Sequence, residues 1–254
     1  MTPVAHGRIV LWEGASLWVM DVPPRAAGRS TDVHAHHAIQ FVFALEGHFE
    51  LSGGGGRVRG PAAAVAADAP HAFTAQGVVA LLFIDPETSL GQSLARNLFG
   101  AGTLTAVPPD VMSEPAVGLL AAFRDPATDE AALRELGRAF VARLGGAQAL
   151  EPDPRVRAVV DWAPAQIDRP VGVADAARLV GLSRDRMSHL FVEQTGLPFR
   201  TYMLWLRLTK AVGLYAGGAS LTEAAHEAGF SDSAHFSRTF RRMFGVAAAE
   251  LRLA

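Results

Sequence analysis

From Gly181 the chain reads GLSRDRMSHLFVEQTG, and from Gly229 it reads GFSDSAHFSRTFRRMFG. The two stretches share one pattern. Each follows a pair of small residues at the same offset, Ala176-Ala177 and Ala224-Ala225. Each has a glycine, a bulky apolar residue and a serine (Gly181-Leu182-Ser183 and Gly229-Phe230-Ser231) and closes on Phe-x4-Gly, at Phe191 to Gly196 and Phe240 to Gly245. The second copy carries one residue more between the serine and the phenylalanine. A glycine that ends a helix takes the left-handed conformation cheaply. A serine two residues later can cap the next helix by accepting from its orphan N–H groups, and small side chains let two helices cross closely. The pattern predicts a helix-turn-helix, twice. The second helix of such a unit is the one that enters a DNA major groove.

Between the copies lies PFRTYMLWLRLTKAVGLYAGG, Pro198 to Gly218. Tyr202, Leu206, Thr209 and Val212 recur at helical spacing, with Trp205 and Leu208 widening the stripe and Arg207 and Lys210 between them. Proline suits the start of a helix and the glycine pair its end. A rod of roughly 18 residues at about 1.5 Å each spans about 27 Å. That length suits two reading helices held about 34 Å apart, one turn of duplex.

Outward from this region, 254 residues suffice for two domains, and with 50% hydrophobic and 19% charged residues the chain is globular. It has no cysteine, so disulfides and thiolate metal sites are excluded. No apolar run approaches the roughly 20 residues that span a bilayer, and the N-terminus lacks the pattern of a signal peptide. A cytoplasmic protein is expected. Net charge is −2, but it is unevenly spread: residues 1–150 balance at −4 and residues 151–254 at +2. The local clusters Arg184/Arg186 and Arg238/Arg241/Arg242 favour a nucleic-acid face more than the total does.

Residues 1–86 alternate short apolar runs with Gly, Pro and Asp. Strands are expected at Ile9–Trp12, Leu17–Val22, Ile39–Leu45, His48–Ser52, Ala62–Ala66, His71–Ala75 and Val78–Ile84, with Ser52 to Gly60 a loop. Such spacing predicts a β-sandwich or small barrel. Over 87–145 the period turns helical, with helices at Thr88–Phe99, Asp110–Phe123 and Asp129–Leu144. The last carries the stripe Leu133, Leu136, Phe140 and Leu144, a candidate contact for a homodimer. Residues 146–154 read as a linker, and 155–254 as the helical domain, opening with a helix at Arg155–Ile167.

Within the strand region, Gly28, His34, His36, Gln40 and Gly47 read G-x5-H-x-H-x3-Q-x6-G. On an extended chain His34, His36 and Gln40 share parity and project to one face. With His71 they can coordinate a divalent metal, or hydrogen-bond an organic effector beside Phe73 in a barrel mouth. His37, His6 and His48 read as surface or strand histidines.

The spacing resembles the first motif of the cupin family, with Gln40 where metal-binding members carry glutamate and His71 at the second-motif histidine. The C-terminal hundred residues resemble the DNA-binding domain of the AraC/XylS family of bacterial transcription regulators, carried by GLSRDRMSHLF, by Arg207 and Ala211 of the linking helix, and by GFSDSAHFSRTFRRMFG. One departure is Ala248, where that family has proline after the last glycine.

The resemblance implies an α+β protein of two domains: a cupin-like barrel with following helices, then an all-α domain with two helix-turn-helix units joined by a long helix. It implies a regulator that senses a small molecule, binds double-stranded DNA and works with RNA polymerase, and is not an enzyme. By position, the first reading helix presents Arg184, Asp185, Arg186, Ser188 and His189. The second presents Asp232, Ser233, His235, Arg238, Arg241 and Arg242. Arg238 is the expected base reader, since its fork suits guanine O6 and N7; Arg241 and Arg242 are expected on phosphates. The competing reading is a metal-dependent cupin enzyme with a helical appendage, resting on His34, His36, Gln40 and His71.

Overall fold

The computed structural model describes residues 4–24, 29–100, 102–108, 113–144 and 152–253. Nine strands lead the architecture: β1 (Ala5–Trp12), β2 (Ala15–Val22), β3 (Ile39–Ala44), β4 (His48–Gly53), β5 (Gly56–Arg59), β6 (Ala62–Val65), β7 (His71–Ile84), β8 (Leu104–Ala106) and β9 (Leu251–Leu253). They hydrogen-bond in the order β8-β6-β3-β7-β2-β1-β9, with β4 and β5 branching from β7.

The strand β7 explains the branching. Its first half pairs with β4, and its second half lies between β3 and β2. Partners change at Gly77, which has φ +89 and packs on Gly47 at φ +86. A Cβ on Gly77 would lie 2.4 Å from the Glu46 carbonyl oxygen, and one on Gly47 2.0 Å from that of Gln76, so only glycine fits the crossing. This bend is why the sequence pattern reads as two strands where the chain forms one. The expected loop at Ser52–Gly60 is instead the hairpin β4–β5; glycine content hid a strand that pairs through its backbone.

Helices α1 (Ser89–Leu98), α2 (Ser113–Arg124) and α3 (Glu130–Leu144) follow. The expected start at Asp110 lies outside the described residues. Leu94, Leu119, Leu133 and Phe140 pack on the sheet face formed by Leu17, Phe41, Phe43, Leu82 and Ile84. Phe140 meets Phe43 edge-on at 4.5 Å, and Gly137 lets the Trp12 ring approach α3. Of the α3 stripe named above as a candidate homodimer contact, Leu133 and Phe140 are buried on the protein's own sheet, while Leu136 and Leu144 are half-buried.

The linker lies mostly outside the described residues. Pro154 then opens α4 (Pro154–Trp162), capped by Asp153, and a 3-10 turn (Ala163–Gln166) completes the single helix expected there. The remaining helices are α5 (Val173–Leu179), α6 (Arg184–Thr195), α7 (Phe199–Ala216), α8 (Leu221–Glu227) and α9 (Ser233–Phe244). Instead of a further α-helix after Gly245, a 3-10 turn over Ala248–Glu250 leads into β9, which joins β1 in parallel. The last strand of the C-terminal domain is thus an edge of the N-terminal sheet.

The second face of that sheet packs against the helical domain in one continuous core. Trp18 lies 5.1 Å from Phe83 and 4.7 Å from Phe244, and Phe244 is 4.8 Å from Phe240 (ring centroids). Burying both faces of a strand removes the polar alternation of a half-exposed one, which accounts for the run VVALLFI in β7.

Candidate nucleic-acid interface and sensor site

The two helix pairs form as the repeats require. Ala176, Ala177, Ala224 and Ala225 are fully buried where α5 meets α6 and α8 meets α9. Gly181 and Gly229 have φ +68 and +76. Ser183 caps α6 by accepting from the Arg186 N–H. The second cap differs from expectation: Asp232, not Ser231, accepts from the His235 N–H at 2.6 Å, while the Ser231 hydroxyl bonds the same carboxylate. The extra residue of the second repeat shifts the cap by one place, and Asp232 becomes a structural acceptor. Its carboxyl is held below the usual range mainly by that backbone bond.

Arg184, Asp185, Arg186, Ser188 and His189 are exposed on α6; on α9 Arg238, Arg241 and Arg242 are exposed and Ser233 and His235 half-buried. Among the described residues Arg184, Arg186 and Arg242 have no carboxylate partner, Arg238 lies close enough to Asp232 to help hold that carboxyl low, and Arg241 donates to Asp32 of the N-terminal domain at 2.8 Å. Met187, Phe191, Phe236 and Phe240 are buried below these faces.

The loop holding Asp32 also carries the first candidate sensor histidine. His34, His36 and His71 bring ring nitrogens within 4.8 Å of one another, although residues 34–38 are not a strand and parity did not assemble them. The His34–His71 bridge does that. Nδ1 of His34 lies 2.9 Å from the Asp32 carbonyl, Nδ1 of His36 3.2 Å from that of Ala38, and Nδ1 of His71 2.9 Å from that of Ala69. A carbonyl only accepts, so Nδ1 of His34 and of His71 carries the proton and their Nε2 atoms keep a lone pair, whereas His36 faces an acceptor oxygen at both nitrogens, the nearer one at Nε2. Burial lowers all three pKa values, that of His34 to about 4, and the neighbouring imidazoles lower His34 and His36 further.

His71 Nε2 is buried without a hydrogen-bond partner. Three imidazoles with nitrogens within 4.8 Å of one another, two of them oriented through Nδ1, suit a first-row divalent ion that His36 would join by releasing Gln40. Gln40 departs from the expected ligand role: its Oε1 lies 2.7 Å from His36 Nε2, where it accepts from the ring N–H.

Beside the cluster a cavity of about 130 Å³ has walls from both domains: Trp18, Met20, Phe73 and Leu81 from the sheet, Phe244 and Leu251 from the C-terminal domain. His34, Gln40, Arg29 and Arg241 are among its polar groups; His36 and His71 are not among its walls. Gly245 ends α9 at φ +70, and a Cβ there would lie 2.5 Å from the Asp32 carbonyl oxygen and 2.6 Å from His34 Nδ1. The Asp32 N–H donates to the Gly245 carbonyl at 2.9 Å. The loop carrying Asp32 and His34 and the end of α9 are in direct contact.

His37, which reads as a surface or strand histidine, is buried in a bend before β3. Its Nδ1 lies 2.9 Å from Asp68 and its Nε2 3.2 Å from Glu87. Burial alone would lower its pKa, but the two carboxylates outweigh that and hold it up to about 9. Tyr202 and Trp205 of α7 meet its ring edge-on, at 6.1 and 6.2 Å. No local pattern announces this group, because its partners are 31 and 50 residues away. His6 and His48 are exposed, as expected.

A family model described as a helix-turn-helix domain matches residues 176–254. Among curated proteins, the transcriptional regulator GlxA of Rhizobium meliloti is 35% identical over 100 residues, 39% of this chain and 31% of its own length. The transcriptional activator RhaS of Escherichia coli is 34% identical over 99 residues, 39% of this chain and 36% of its own length. The match therefore spans about a third of each relative. Among solved structures, ToxT of Vibrio cholerae resembles this chain at TM-score 0.58 and 15% identity, covering 93% of this chain and 95% of that one. A form of ToxT with an unsaturated fatty acid bound has TM-score 0.55 at 13% identity, covering 94% and 93%. At such identity the likeness concerns the fold. No described helix is long and apolar enough to cross a membrane.

Proposed function

We propose that the chain, whose residues 176–254 match a helix-turn-helix family model and resemble the AraC/XylS type of transcription regulator, reads duplex DNA with α6 and α9 in two adjacent major grooves and responds to an effector held in its N-terminal domain. One observation carries this reading: Arg184 and Arg186 on one helix, and Arg238 and Arg242 on its repeat, are exposed, and among the described residues Arg184, Arg186 and Arg242 have no carboxylate partner. Cations left unpaired on two equivalent helices suit a polyanion that supplies the counter-charge. Arg238 is the base reader. In the Arg238→Ala variant, discrimination at one base pair falls by about 1–3 kcal/mol, roughly 5- to 150-fold. Competition binding at fixed salt, with duplexes varied one position at a time, measures this. Unchanged preference at every position would remove Arg238 from that role.

The effector reading rests on the two-domain cavity. Its size suits a small apolar molecule about as large as benzene, and the fatty-acid-bound ToxT is a neighbour of similar fold with an apolar ligand. An occupant would touch Phe244 and Arg241 of α9 and the loop at His34 together, which links occupancy to the DNA-reading helix without a relay. His34, His36 and His71 form the metal site of this sensor. A divalent ion there supplies a fixed positive charge behind the cavity, and the ion would itself tie His34, at the α9 contact, to His36 and His71.

Untagged protein titrated with Co2+ is expected to bind the ion stoichiometrically with a visible absorption band. His71→Ala is expected to weaken binding by more than the roughly 10–100-fold that losing an outer partner of a ligand costs. Equal Co2+ binding by parent and variant would rule the triad out. The enzyme reading draws on the same three histidines, but the end of α9 closes on His34 through the Gly245 contact, which suits signalling better than turnover.

A further inference from the structure

A second groove, of about 690 Å³, runs between the sensor loop and the helical domain on the other flank of α9. Val33 and Ala35 line it from the loop, Arg200 and Arg207 from α7, and His235 and Arg242 from α9; its walls contain no Asp or Glu. Arg207 spends one N–H on the Ile167 carbonyl, 3.1 Å away, and keeps the rest of its guanidinium. Arg200 and Arg242 are exposed and have no carboxylate partner among the described residues. Three permanent cations line this groove and none of its lining residues carries the opposite charge, which favours an anion there. Guanidinium forks match the oxygens of a phosphoryl group.

We propose that this groove is a phosphoryl site of the intact two-domain protein, occupied by a backbone phosphate of the bound duplex. Arg200 and Arg207, which lie outside both reading helices, then hold DNA, and the sensor loop at Val33 borders the phosphate. The duplex is the favoured source because the groove is continuous with the α9 face through Arg242 and His235, and because it is a wide open channel between domains. This rests on the DNA reading above and extends the interface from the helices to the joint between the domains. Contacts of this kind position the protein and carry no base preference.

The test uses the full chain, a duplex carrying its site and an unrelated duplex of equal length, with affinity measured from about 50 to 200 mM salt. In Arg200→Ala the slope of log K against log[salt] is expected to flatten by about 0.9, the share of one phosphate contact. Affinity for both duplexes should fall by the same factor. In Val33→Glu, which sets a carboxylate beside the phosphate, both affinities should also fall together. Neither residue is buried, and matching thermal unfolding of the variants and the parent checks the fold.

Slopes and affinities equal to the parent in both variants, with Arg238→Ala still altering base preference, would overturn the groove and leave the DNA reading standing. A parent that binds neither duplex overturns both. Titration with inorganic phosphate and pyrophosphate separates the sources. If Arg200→Ala abolishes binding of those anions but keeps the parent's salt slope on DNA, the groove serves a free phosphorylated compound and the duplex assignment fails.

Discussion

Replacing His37 by leucine is expected to lower the stability of the folded protein by about 3–5 kcal/mol, the cost of breaking a buried ion pair by removing one partner. The imidazole is 1% exposed, and the Glu87 carboxylate is 4% exposed. Without His37 that carboxylate is left in the joint between domains, next to Asp85, whose carboxyl burial and Glu87 already push up to about 7. Removing the acid as well relieves the problem. The double variant His37→Leu, Glu87→Gln should therefore recover most of the loss, and the coupling energy follows from the cycle of four proteins. Denaturant midpoints at constant m-value measure it. A single variant within about 1 kcal/mol of the parent, inside the range of an exposed pair, would show that the buried triad contributes little.

Phe244→Ala is the second large effect. This ring closes the core shared by the two domains, 4.7 Å from Trp18, 4.8 Å from Phe240, 5.8 Å from Phe83 and 6.4 Å from Trp205. Truncating a buried phenylalanine typically costs about 3–5 kcal/mol, part transfer and part cavity. Stacked and edge-on ring pairs add to the loss. For a chain of this size the midpoint of thermal unfolding should fall by on the order of 10 °C. Because the cavity opens at the sensor end of α9, DNA affinity and effector response should change together. Phe244→Leu, which keeps most of the volume, should lie between parent and alanine. A Tm within a few degrees of the parent for Phe244→Ala would mean that the domains are held by other contacts, such as the β1–β9 pairing.

The parts of this protein that were legible in its sequence are those whose cause is local. A left-handed glycine, a cap two or three residues on and alanines at a crossing are properties of a dozen consecutive residues, and α5–α6 and α8–α9 follow from them. The strut α7 was legible for the same reason, since helical spacing shows which side of Tyr202, Leu208 and Val212 must be buried. Even the one-residue insertion in the second repeat could be seen, although its consequence, the change of cap from Ser231 to Asp232, could not. The candidate sensor histidines were found by spacing. Their geometry came from a bridge between His34 and His71, not from the strand parity that first grouped them.

What only the tertiary structure decided are the contacts between distant residues. β9 joins β1 across nearly the whole chain, and the pattern of three residues is too short to announce a strand. His37 reads like any polar loop residue until Asp68, Glu87 and α7 close over it. Arg241 looks like a phosphate contact on its helix, yet it donates to Asp32, 209 residues away. The sequence by itself determined the reading domain, because hydrogen bonds and packing within a helix pair act between neighbours. How that domain docks on the sheet, and which charges it hides there, depends on groups that meet only when the chain has closed on itself. That docking places the end of α9 against His34 and the loop that carries it.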